Sequence, residues 1–251
     1  MNAKHPFPLG RPSSTAEAAA IRANDWAAFR DLEFLSDHWT TKAWAPGRTG
    51  YYWYLTFHDP ALADLTQQCQ KRLEHDGIDL VPRDGLHVTL LGLGRADQVS
   101  DEQLAQITAE ASARLSTLAP FELAVGPLTG SRSALRFSVT PWDPLLELHH
   151  MLRAATAGSQ RARRLAETAD FRPHLGIGYI SRTLDVASVI GDVAALRALP
   201  PVTVRVDSVD LVELRREGRA YRWTDLAVLP LGGTSSLRRR EAASGARPNL
   251  Q

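Results

Sequence analysis

The chain has little of what several protein classes require. Cysteine occurs once in 251 residues, at Cys69, which excludes an intramolecular disulfide and a cysteine-rich zinc site and fits a reducing compartment. Cys69 falls in a helical pattern, where the thiol is expected to be inert. Lysine occurs only at Lys4, Lys42 and Lys71, so arginine carries nearly all the positive charge, and the formal net charge is just +1. Without an excess of one sign there is no field to gather nucleic acid over a broad surface; any such contact has to be local, made within a cleft. No stretch approaches the roughly 20 apolar residues of a membrane span, and the opening MNAKHPFPLGRPSS lacks the apolar centre of a secretion signal. A cytoplasmic protein without membrane contact is expected. Nor is there a short-period repeat of the kind that builds a solenoid.

What is present is an ordinary globular balance, 44% hydrophobic and 23% charged, enough for one large domain or two closely packed lobes. Residues 1–14, rich in proline and glycine, are expected to be disordered. So is the tail 232–251, which combines small residues with Arg238, Arg239 and Arg240. Residues 15–231 then form the folded unit. Ile21, Trp26, Phe29, Leu32 and Leu35 recur at near-helical spacing and predict a helix between Thr15 and about Asp37. The aromatic and β-branched run 51–57 predicts a strand. Further elements follow: a helix over 60–76, a strand over 86–93, a helix over 100–117 opened by Ser100 with Glu102 and Gln103 in its first turn, and strands over 121–125 and 135–140. The remainder reads as a helix near 144–157, a strand over 174–180, a helix near 185–198, and strands near 202–214 and 220–229. The order strand, helix, strand, helix occurs in each half, which makes the chain α+β with a twofold echo.

The echo is sharpest at His87-Val88-Thr89-Leu90 and His174-Leu175-Gly176-Ile177, whose histidines lie 87 residues apart. In an extended strand alternate side chains share a face, so His87 lies with Thr89 and His174 with Gly176. If the two strands meet, two imidazoles converge on one cleft that suits a phosphate. An imidazole titrates near neutrality, so one can take a proton from an attacking oxygen while the other gives one to the leaving oxygen. Two such rings suffice for in-line phosphodiester cleavage without a metal. Charge building on the non-bridging oxygens needs donors, and Thr89 is placed to be one. Gly176 has no hydroxyl and offers only its backbone N–H, a water, or an arginine brought from elsewhere.

Alternation suggests further cleft residues. In the strand 51–57 the apolar set Tyr51, Trp53, Leu55 and Phe57 leaves Tyr52, Tyr54 and Thr56 on the other face, and Tyr54 is expected to stack on or bond a base. In the strand 135–140, Arg136 and Ser138 face away from the core, with Arg136 expected to neutralise phosphate. Each of these residues is equally well explained as the wet face of an amphipathic strand. Tyr179 shares a face with Leu175 and Ile177 and is read as core. His58, in His58-Asp59-Pro60, marks a turn into a helix. His149 and His150 are adjacent rather than four apart, so they are not a helical metal pair and are read as packing or surface residues. Arg95 is read as a solvated loop arginine.

Gly85-Leu86-His87-Val88-Thr89-Leu90-Leu91-Gly92-Leu93-Gly94 and Phe171-Arg172-Pro173-His174-Leu175-Gly176-Ile177-Gly178-Tyr179 resemble the paired histidine strands of the two-histidine phosphoesterase superfamily, in particular its 2'-5' RNA ligase-like proteins with RNA cyclic phosphodiesterase activity. The resemblance covers roughly residues 50–230. It implies a single bilobal domain over 15–231, with antiparallel sheets flanked by helices around a central groove. His87 and His174 would be the acid and base. Thr89, Gly176 and Arg136 would lie around the phosphate, and Tyr54, Tyr52 and Ser138 around the rest of the substrate. Gly176 departs from the threonine or serine of that family. The function implied is hydrolysis of a 2',3'-cyclic phosphate on an RNA terminus or small nucleotide, by a monomer, with no cofactor and no metal. A non-catalytic binder of phosphorylated nucleotides or RNA ends is the competing expectation, since one hydroxyl is missing. A metal-dependent hydrolase with the histidines as ligands lacks an acidic partner at recognisable spacing.

Overall fold

The computed structural model describes residues 10–42, 44–73, 77–159 and 165–232. The expected disorder of the two ends therefore falls mostly on residues outside this set, namely 1–9 and 233–251. Within the set, Arg11 donates to the carbonyls of Thr168 and Ala169 at 3.0 and 3.2 Å, so the folded part begins earlier than residue 15.

The elements run α1 (Ala18–Arg30), α2 (His38–Thr41), β1 (Thr49–Thr56), α3 (Pro60–Arg72), β2 (Ile78–Leu80), β3 (His87–Arg95), α4 (Asp101–Leu115), β4 (Phe121–Ser131), β5 (Ala134–Thr140), α5 (Asp143–Ser159), β6 (His174–Ile180), α6 (Val186–Leu196), β7 (Val202–Val206), β8 (Ser208–Glu217) and β9 (Ala220–Pro230). Local chemistry sets several boundaries. Ser100 and Gln103 form a reciprocal capping box at the start of α4. Asp59 accepts from the Leu62 amide ahead of Pro60 at the first turn of α3, and Asp185 accepts from the Ser188 amide at α6.

Three expectations change. The helix expected over 15–37 is shorter, with α1 ending at Arg30; an irregular stretch follows, and a separate short helix, α2, begins at His38. β2 is three residues long, too short to leave a periodic signal. The stretch 202–214 is broken at Asp207 into β7 and β8, which belong to different sheets.

Those sheets are the two lobes. One has the order β3-β1-β8-β9 and the other β2-β6-β5-β4-β7, every pairing antiparallel. The histidine strands β3 and β6 approach one another between the sheets. The helices cross over. α3 follows β1 of the first sheet yet packs on β6 and β7 of the second, whereas α5 follows β5 of the second sheet and packs on β3 of the first. One large apolar core, from Leu55, Val88 and Leu91 to Val139, Leu175 and Ile177, therefore runs through both lobes. Continuous burial of this kind fixes the lobes relative to each other, because separating them would expose a shared core.

The N-terminal helix α1 lies on β4 and β5. Its Phe29 is fully buried against Gly130, where a Cβ would come within 2.3–2.7 Å of the ring. Gly130→Ala is accordingly expected to cost about 1–3 kcal/mol by overpacking, read as a lower denaturant midpoint at unchanged m-value.

Candidate functional site

β3 and β6 begin at their histidines, and the two rings are anchored in the same way. His87 Nδ1 lies 2.8 Å from the Gly85 carbonyl, and His174 Nδ1 lies 2.8 Å from the Arg172 carbonyl, each two residues earlier. A carbonyl can only accept, so Nδ1 carries the proton in both rings and the lone pair sits on Nε2. Both imidazoles line one cavity of about 380 Å3 between the lobes, together with Thr89, Gly176, Tyr52 and Tyr54.

A bulge in each strand decides what else shares that face. Across β1–β3, Tyr54 pairs with Thr89 but Trp53 pairs with Leu91, so Leu90 is passed over. Across β5–β6, Arg136 pairs with Gly176 but Leu135 pairs with Gly178, so Ile177 is passed over. Both bulges stand three residues after the histidine. Each reverses the alternation, so that Gly92 in one lobe and Tyr179 in the other turn toward the groove. The Ile177 carbonyl at the second bulge is satisfied by the Gln70 side-chain amide at 2.9 Å and the Val81 amide at 3.0 Å.

Burial sets the protonation of the pair. His87 stacks on Tyr54, ring centres 4.3 Å apart and 15° from parallel, with Trp223 edge-on at 5.2 Å. Desolvation lowers its pKa, opposed by the bond to Gly85. His174 is pushed down to about 3, first by burial, then by the nearby Arg136 guanidinium, and to a smaller extent by His87. Both rings are thus neutral in the open groove at neutral pH.

Residues 57–218 match the model of the 2'-5' RNA ligase superfamily, well over half the chain. The chain belongs to that superfamily. No curated protein sequence matches it. Among solved structures it is similar to E. coli LigT in complex with 3'-AMP, with 19% identity over 74% of this chain and 99% of LigT and a TM-score of 0.52. It is likewise similar to TT0787 of Thermus thermophilus, with 20% identity over 75% and 100% of the two chains and a TM-score of 0.53. These likenesses establish a shared bilobal α+β fold. Residues 10–56 precede the part matched by the superfamily model.

That preceding segment supplies much of the rest of the groove. Arg136 and Ser138 do pair across the strands with Gly176 and His174, but α1 covers this end of the face. Its Asp25 accepts from Arg136 at 3.1 Å and from Ser138 at 2.7 Å, all three residues being buried. The expected phosphate contact of Arg136 and substrate contact of Ser138 are corrected accordingly: neither lines the cavity, because an acidic partner from outside the strand pattern engages both. Tyr54 is also placed differently. It is 2% exposed and presents its face to His87 rather than to open groove, with its hydroxyl near that of Thr89. Tyr52 lines the cavity, packed over Gly92. Tyr179, read as core, lines the cavity because of the bulge.

Among the groove residues that the sequence pattern missed are His38, Lys42, Trp44, Arg48, Tyr179 and Tyr221. His38 joins the lobes, with Nδ1 3.3 Å from the Ser133 hydroxyl and Nε2 3.0 Å from that of Tyr221, and burial lowers its pKa to about 4. The Arg48 guanidinium lies over the Trp44 indole at 4.7 Å. The only signal was the density of tryptophan beside basic residues in 39–48, which lacks any periodicity. His149 stacks on Phe171 and bonds Thr168, His150 is exposed, and Arg95 pairs with Asp97 at the surface. Cys69 is buried, its thiol raised to about 11. Among the described residues no three or more His, Cys, Asp or Glu side chains gather as a metal site requires.

Asp25→Ala would leave the Arg136 guanidinium buried beside Ser138 without its carboxylate. A loss of about 3–5 kcal/mol in unfolding free energy is expected, measured by chemical denaturation.

Proposed function

We propose that the chain is a metal-independent phosphodiesterase that opens a 2',3'-cyclic phosphate on an RNA end or small nucleotide. The observation that carries this reading is the pair of carbonyl-anchored imidazoles, lone pairs at Nε2, lining one cavity with the Thr89 hydroxyl. One Nε2 takes a proton from water as its oxygen forms a bond to phosphorus. The bond from phosphorus to one ribose oxygen breaks in line, and that oxygen takes its proton from the other imidazole. The product is a phosphate monoester beside a free ribose hydroxyl. Thr89 donates to a non-bridging oxygen as charge accumulates there.

The size and lining of the groove suit a nucleotide. About 380 Å3 is within the range of small-ligand pockets. Trp44, Tyr52 and Tyr221 offer aromatic surface for a base, and Lys42 and Arg48 offer positive charge for phosphate. Structures of the similar E. coli LigT with 3'-AMP and with phosphate accord with such a ligand. The competing reading, a binder without turnover, rests on the absent hydroxyl at Gly176. Calorimetry with 2',3'-cyclic and linear nucleotides separates the two, since binding without product formation favours the binder.

His87→Ala and His174→Ala are each expected to abolish turnover of a 2',3'-cyclic nucleotide without lowering the melting temperature. A strong chelator should leave the wild-type rate unchanged. Thr89→Val should cost a factor of order 10² to 10³ in kcat, the usual penalty for one lost anion donor. Substantial activity in both histidine variants would overturn the assignment.

The pH profile carries a sign. Because burial lowers both imidazole pKa values, the protonated acid is lost from the free protein as pH rises, starting below 6.5. A bound phosphate anion favours the imidazolium and moves that loss upward. The alkaline limb of kcat/KM is therefore expected at lower pH than the alkaline limb of kcat, as pre-steady-state and steady-state profiles would show.

A further inference from the structure

The pseudo-twofold cleft has a hydroxyl at Thr89 in one lobe and none at the equivalent Gly176 in the other. Position 179 carries the complementary difference. Gly92, its equivalent in β3, has no side chain, and the space above it is filled by the Tyr52 ring, with Cε1 3.0 Å from where a Cβ would stand. In β6 the bulge at Ile177 turns Tyr179 onto the face of His174 and Gly176. A Cβ added to Gly176 would meet one atom within 4 Å, the Tyr179 hydroxyl oxygen at 3.7 Å. The phenol oxygen therefore borders the space beside residue 176, where a threonine would carry its hydroxyl. We propose that Tyr179 supplies to the phosphate, from the second lobe, the hydroxyl donor that Thr89 supplies from the first.

The setting suits a fixed donor. The Tyr179 ring is held by His38 at 4.3 Å, Trp39 at 5.2 Å and Tyr221 at 5.5 Å between ring centres. Trp39 is itself tied down by its indole N–H to Asp79 at 2.7 Å, on the strand paired with β6. No described group is hydrogen-bonded to the Tyr179 hydroxyl, although it lines the cavity. Burial raises its pKa, so it remains an O–H donor across the working pH range. A donor locked in this way is aligned before the phosphate arrives, which is the condition under which such groups lower a barrier. The competing explanation is that the ring only fills the groove wall; it leaves unexplained why the oxygen has no partner among the described residues and points at the space beside residue 176.

The inference rests on the phosphodiesterase reading, and the test separates the two. Tyr179→Phe keeps the ring and removes the oxygen. For a nucleoside 2',3'-cyclic phosphate, kcat is expected to fall by a factor of order 10² to 10³, with KM changed less and melting temperature unchanged. Adding Gly176→Thr to the phenylalanine variant should recover at least tenfold of that loss by restoring a hydroxyl from the neighbouring position. Turnover by Tyr179→Phe within threefold of wild type would overturn the proposal. So would a loss that comes with a lower melting temperature or that threonine at 176 fails to reverse. If the wild-type chain turns over no cyclic nucleotide, the reaction fails but the donor is still tested by calorimetry with inorganic phosphate. Tyr179→Phe should then bind at least severalfold more weakly, and equal binding, or no binding by the wild type, would overturn it.

Discussion

His87 and His174 are each oriented by a hydrogen bond from Nδ1 to the carbonyl two residues earlier. That bond fixes the tautomer, fixes the plane of the ring and turns Nε2 toward the space between the lobes. It is short-range and needs only a strand that starts at the histidine after a tight lead-in, so it recurs unchanged in both halves. The chemistry proposed for the groove depends on having two copies of this device converge. The desolvation that keeps both rings neutral comes from their packing between the lobes, with Tyr54 and Trp223 against His87.

Convergence in turn depends on the crossover of helices. α3 and α5 each leave one sheet and pack against the other, so the lobes share a core and do not separate as independent bodies. Small adjustments tune the faces within this frame. A bulge placed three residues after each histidine redirects the strand, and the Gln70 amide from α3 satisfies the carbonyl that the second bulge exposes. The pseudo-symmetry is thus close in backbone device and loose in side chain: threonine then glycine in one strand, glycine then tyrosine in the other.

The segment before the superfamily match modifies the groove at two points. α1 closes one end of the second lobe's face by inserting Asp25 between Arg136 and Ser138, an ion pair too deeply buried to be exchanged for a ligand without a large desolvation cost. α2 and the turn after it add His38, Lys42, Trp44 and Arg48 to the rim, with His38 bonded to both lobes. The superfamily frame supplies the imidazoles; this segment shapes what can lie beside them.

The sequence by itself determined most of the helices and strands, the twofold echo, the opening of α4 at Ser100, and the placing of His87 and His174 at the heads of two strands. All of these are written in local periodicity or in side chains that act on their own neighbours. It did not determine which polar residues face the groove. Alternation is reliable only while the pleat is unbroken, and a one-residue bulge moved Tyr179 from apparent core to cavity. Nor could it reveal that Arg136 and Ser138 are engaged, because their partner Asp25 lies more than 100 positions earlier, on a helix whose docking depends on how Phe29 meets Gly130. Contacts between residues so distant in the chain are decided by packing, and only the tertiary structure holds that information.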